Sequence, residues 1–182
     1  MTRLLPVLGL LAGGCAGAPP NDEPPPPPTA LSVSLERLDA SERGIVGAAL
    51  ATASQLWKTV GAEVGEASGE GDLIVSSLDD AQWLAQLGPP STASGQTVGD
   101  WGPTSLCGAV HGCIIIKRSY FFGTANESER AELISHEIGH ALGLTHVFDD
   151  HTAIMFGAVH DVGPLTTADI AEWAKVHPAV GP

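Results

Sequence analysis

The sequence predicts an α/β fold built as one domain. Three observations carry that expectation. Short runs of strand character occur at Leu31 to Leu35 and Cys113 to Lys117. Two long stretches of helical periodicity open on the capping residues Asp39 and Asn126. About 150 residues follow a proline-rich segment, which suffices for a single core.

In chain order, Met1 to Ala12 carries one basic residue, Arg3, and then an apolar stretch too short and too rich in Gly and Pro to span a bilayer. It reads as a signal peptide. Its end, Leu11-Ala12-Gly13-Gly14-Cys15, resembles a bacterial lipoprotein signal, so residues 1–14 are expected to be removed and Cys15 to be lipidated. The rival reading is an ordinary signal peptide cut nearby. The remainder of 15–29, with its run Pro24 to Pro28, favours extended polyproline geometry and reads as a tether. Residues 30–182 form the expected domain.

Within the domain, Leu31, Val33 and Leu35 alternate with polar residues, as a half-buried strand requires. A helix follows: Asp39 caps it with Glu42 three residues on, and Gly61 closes it. Its apolar face is Ile45, Val46, Ala49, Leu50, Ala53, Leu56, Trp57 and Val60. Strands are expected at Asp72 to Val75 and, with a fainter signal, at Glu63 to Glu66; Asp80 to Leu87 reads as a short helix. Gly88 to Ser105, rich in Gly, Pro, Ser and Thr and holding Trp101, reads as a long loop that could wall a cleft. Three consecutive isoleucines make Cys113 to Lys117 a strand. Asn126, with Glu129, caps the second long helix, whose apolar stripe is Ala131, Leu133, Ile134, Ile138, Ala141 and Leu142.

That helix carries the most informative segment, His136-Glu-Ile-Gly-His-Ala-Leu-Gly-Leu-Thr-His146. His136 and His140 are four apart and therefore stand on one helical face, where two ring nitrogens can meet one metal ion. Gly143 supplies the turn after the helix, because glycine reaches positive φ at little cost. His146 then returns as a third ligand. Three protein ligands leave one tetrahedral position open, the arrangement of a catalytic zinc site. Glu137, beside the first ligand, is the expected general base. The bland alternative is a helix with a few surface histidines.

The motif resembles that of the metzincin clan of zinc endopeptidases, and Ile154-Met155-Phe156 resembles the Met-turn of its matrixin-like members, with Met155 as the floor beneath the metal. Leu165 to Ile170 resembles the start of the matrixin-type C-terminal helix, for which Ile170, Trp173, Ala174 and Val176 would be the apolar side and Pro178 the stop. The resemblance implies a metzincin-like zincin fold. Its parts would be a twisted, mostly parallel sheet, two long helices of which the second carries the zinc ligands, and a small C-terminal part after Gly143 ending in a helix. It also implies that Cys113 to Lys117 is an edge strand above the cleft, where an extended substrate adds main-chain hydrogen bonds. The isoleucines would otherwise be core filling. Val147 after the third histidine, and Phe156 and Gly157 where some subfamilies carry tyrosine, depart from those subfamilies.

With Cys15 assigned to lipid, Cys107 and Cys113 are left as a pair closing a short loop, and an oxidising compartment favours a disulfide between them. A cysteine that blocks the zinc as a latency switch is the rival. The formal net charge of −13 argues against nucleic acid as a partner. Asp149, Asp150 and Asp161 read as surface or turn carboxylates. His111, His151, His160 and His177 form no second zinc pattern, and His177 is expected to answer a helix dipole.

The expected function is therefore an exported, zinc-dependent endopeptidase with one Zn2+. Glu137 would take the proton of the attacking water and return it to the leaving amine. The substrate would be a protein or peptide, the chain a monomer, and the location the bacterial cell envelope through the lipid anchor, outer membrane or periplasm-facing, or otherwise secreted. The alternatives are a non-catalytic, zinc-stabilised binding lipoprotein and a hydrolase of cell-wall peptides.

Overall fold

Parallel neighbours in a sheet need crossover connections, and helices supply two of them here. The computed structural model describes residues 26–87, 95–98 and 112–178. β1 (Ala30–Ser34) leads through α1 (Ala40–Lys58) to its parallel neighbour β2 (Glu63–Glu66). β3 (Leu73–Leu78) pairs with the other side of β1, again parallel. α2 (Asp80–Leu87), β4 (Gly95–Val98) and β5 (Gly112–Lys117) follow, and β5 pairs parallel with β3. The sheet order is β2-β1-β3-β5-β4, with β4 alone antiparallel. The α/β class and the mostly parallel sheet are therefore present.

Burial explains the isoleucine run. Ile114 and Ile116 enter the main core with residues of α1 and α4 (Glu127–Ala141), whereas Cys113 and Ile115 join Trp83 and Ile74 in a smaller cluster on the other face. A strand covered on both faces reads as a continuous apolar run. The core-filling reading of these residues holds, and the edge-strand reading of Cys113 to Lys117 does not. β5 lies between β3 and β4, and the edge next to it is β4. The segment Gly88 to Ser105, expected as loop throughout, contains that strand. Gly-Gln-Thr-Val carries little apolar signal, and its strand geometry comes from pairing with Cys113 to Ile116.

Both capping boxes form. Asp39 Oδ1 accepts the backbone N–H groups of Ser41 and Glu42 at 2.9 Å, and Asn126 Oδ1 accepts that of Glu129 at 3.0 Å. Each such cap stabilises by about 1 kcal/mol. α1 and α4 are joined inside the core by the Trp57 indole, which donates to the Ser135 carbonyl at 2.9 Å. A short α3 (Arg118–Phe121), not anticipated, turns the chain from β5 toward α4.

α5 (Thr167–Val176) is rotated from the expected orientation: Ile170 and Ala174 face outward, while Asp169, Glu172 and Trp173 are buried. The reason is polar, because Asp169 turns inward to bonds described below. Among the described residues no helix is long and apolar enough to cross a membrane. Cys15, Trp101, Cys107 and His111 lie outside the described residues, and so do the signal-like segment and the expected Cys107–Cys113 pairing.

Candidate metal centre

His136 and His140 stand one turn apart near the C-terminal end of α4, as their spacing requires. The helix ends at Ala141; Gly143 follows at φ +92°, and the Leu144 N–H returns to the Gly139 carbonyl at 2.9 Å. A β-carbon at Gly143 would meet the ring of Pro27 at 2.7 Å, so the close of the proline-rich segment lies over this turn. The turn brings His146 back. Its Nε2 lies 3.2 Å from His136 Nε2 and 3.2 Å from His140 Nε2. These three residues could hold a metal ion.

Two further contacts decide how the rings present themselves. His136 Nδ1 lies 2.7 Å from the Ile154 carbonyl, and His140 Nδ1 lies 2.9 Å from the Leu144 carbonyl. A carbonyl only accepts, so Nδ1 carries the proton in both neutral rings and Nε2 keeps its lone pair. His146 Nε2 can donate to one of those lone pairs and not to both, so the cluster is left rich in acceptors facing one point. Zinc bound tetrahedrally through nitrogen at about 2.05 Å would place ligand nitrogens about 3.3 Å apart. The donor set and its spacing fit that ion. Burial, with the neighbouring His140 and His146, pushes the His136 imidazole down to about 4. Burial and His140 lower His146 as well. Both shifts favour the neutral, metal-ligating form.

Met155, the expected floor residue, packs against the helix that carries the first two histidines. Met155 is fully buried, and a β-carbon added at Gly139, between the two helical ligands, would meet its Sδ and would lie 2.9 Å from Trp57 Cζ2. The motif glycine is thus required by close packing. Met155 also accepts the Val147 N–H at 2.8 Å through its carbonyl, pinning the chain just beyond His146. Glu137 is buried beside the ligands and is not one of the three.

Sequence reasoning missed the residues that hold this arrangement from outside. Asp169 accepts the N–H groups of Ile154 at 3.1 Å and Met155 at 2.9 Å, and takes Thr166 N–H at 2.9 Å as part of its helix cap. His177 does not simply answer its own helix: its Nε2 lies 2.8 Å from the Leu142 carbonyl at the end of α4, and its ring stacks on Trp173 with centroids 3.9 Å apart. Glu132, one turn before His136, is almost wholly buried, and neither carboxylate oxygen has a hydrogen-bond partner among the described residues. His160 Nε2 lies 3.8 Å from it and 2.9 Å from the Ala153 carbonyl. Helical spacing alone could have flagged Glu132 on the ligand side of α4. Nothing local announces the other partners. Asp149 and Asp161 are exposed, and Asp150 accepts Thr152 N–H at 3.0 Å in a local turn.

Compared with known protein families and with curated proteins, the chain matches no family model and no curated protein.

Proposed function

We propose that the chain is a zinc-dependent endopeptidase of the metzincin-like, matrixin-like kind that its motif resembles. The observation that carries the reading is the convergence of three imidazole nitrogens, two of them oriented by backbone carbonyls, beside a buried glutamate that is not one of the three. A structural zinc site has no use for that glutamate and is normally closed by a fourth protein ligand. When bound, zinc would supply Lewis-acid polarisation of a scissile carbonyl and would acidify water toward a pKa of about 7.

The chain's own residues supply the rest. His136, His140 and His146 would hold the ion, with His146 on the exposed side, where a substrate can approach. Glu137 receives the proton of the attacking water and delivers it to the leaving amine. The Ile154 and Leu144 carbonyls keep two rings from rotating. Met155 fills the space beneath them. Its contribution is positional.

Export, lipidation at Cys15, the Cys107–Cys113 disulfide and a place in the bacterial cell envelope belong to the same proposal and rest on sequence alone. The test is cleavage of a diverse peptide library by the zinc-loaded protein beside Glu137→Ala. Internal cuts by the parent, lost in a variant that still binds stoichiometric zinc, support the endopeptidase. A folded, zinc-loaded parent that cuts nothing transfers the weight to the zinc-stabilised binding lipoprotein.

A further inference from the structure

The turn over residues 142–146 sets two of the three ligands at once. It delivers His146, and its Leu144 carbonyl lies 2.9 Å from His140 Nδ1. His146 is exposed, so what places it is the turn and not close packing around its ring. The residues that hold the turn therefore govern how well the three nitrogens meet.

One side of α5 grips this turn at three points. Where α4 ends, the Leu142 carbonyl lies 2.8 Å from His177 Nε2, which must be the donor because a carbonyl only accepts. In the middle, a β-carbon placed at Gly143 would lie 3.1 Å from Val176 Cγ1, so the backbone there rests against the helix. At the far end the Thr145 hydroxyl donates to Glu172 Oε1 at 2.6 Å. Glu172 and Val176 are four apart and share one side of α5, and His177 is its C-cap residue. The Trp173 indole ties that side to the core, with its centroid 6.3 Å from that of Trp57 and 3.9 Å from that of His177. Glu172 also meets Lys175 Nζ at 2.7 Å, but the lysine side chain is 71% exposed, and so open an ion pair contributes little. The bond to Thr145, one residue before the third histidine, is the one with a consequence for the site.

We propose that α5 is the positioning element for the third ligand, with Glu172 and His177 as positioning residues, and that docking of α5 and binding of zinc at the three histidines are coupled. The proposal rests on the metal site of the reading above. When the turn is released, His146 spends part of its time away from the other two nitrogens, and the apparent affinity falls by the fraction of time it is in place. Linkage makes the effect reciprocal: a metal ion that gains affinity from a docked α5 holds α5 docked by the same factor.

The experiment uses the full chain and two readouts that need no substrate. Zinc affinity, measured by competition with a chromogenic chelator, should fall about tenfold or more in Thr145→Val and in Glu172→Ala, the range seen when a group supporting a ligand is lost. Thr145→Ser keeps the hydroxyl and Glu172→Gln keeps an acceptor oxygen, so both should bind zinc as the parent does. So should Lys175→Ala. A role in stability alone would lower the unfolding midpoint and leave this pattern of loss and rescue absent. Hydrogen exchange on the parent is the second readout and depends on no variant folding: zinc should slow the amides of α5, Thr167–Val176. Folded variants with parental affinity, or α5 amides indifferent to zinc in a parent that binds it, overturn the coupling and leave the metal site standing. A folded parent that binds no zinc overturns the zinc endopeptidase reading and the coupling with it.

Discussion

Asp169 on α5 and Met155, which packs on Gly139 between His136 and His140, are joined by a 2.9 Å bond from the Met155 N–H to Asp169 Oδ1. Together with the bond from Ile154, it fixes the segment whose carbonyl orients His136. Asp169→Ala would leave two buried donors without their acceptor. The expected loss is about 3 kcal/mol of stability by urea unfolding. Zinc affinity should fall about tenfold or more, read by competition with a chromogenic chelator. Unchanged affinity would remove Asp169 from the support of the site.

Gly139 has no room for a methyl group between Met155 and Trp57. Gly139→Ala is expected to cost about 1–3 kcal/mol by overpacking. Met155→Ala alone should also destabilise, by opening a cavity. The double variant should be less destabilised than the sum of the singles, and a coupling near zero in a denaturant double-mutant cycle would refute the contact.

Glu132 is expected to make stability fall as pH rises. Burial, with the Glu137 and Asp169 carboxylates nearby, pushes its carboxyl up to about 8. The folded state therefore keeps a proton that the unfolded chain releases near 4.5. This favourable term is complete below that value and is lost progressively up to about 8. In the metal-free protein, Glu132→Gln should flatten the decline in thermal midpoint between about pH 5 and 8. A decline of equal slope in the variant would show that other groups cause it.

Zinc should stabilise the fold by mass action. At a free concentration one hundred times the dissociation constant, linkage supplies about 2.7 kcal/mol. Calorimetric scans with and without chelator should differ accordingly, and His146→Ala should abolish most of the difference. A chelator-insensitive midpoint in the parent would argue that the three nitrogens do not bind the ion in solution.

The parts legible in the sequence were those whose information is local. Helical geometry ties His136 to His140, the backbone demand at Gly143 is intrinsic to glycine, and each capping box spans four residues. β4 was missed because Gly95 to Val98 is a strand only by virtue of its neighbour β5. The same pairing removed Cys113 to Lys117 from the edge. The face of α5 was misjudged because a buried carboxylate, Asp169, outweighed the apolar pattern of Ile170 and Ala174. His177 and Glu172 act on Leu142 and Thr145, residues far away in the chain. No local pattern encodes those meetings.

Pro27 lies against Gly143, so the N-terminal segment meets the folded body beside the turn that delivers the third histidine. A pull on that segment would therefore bear on Gly143, three residues before His146.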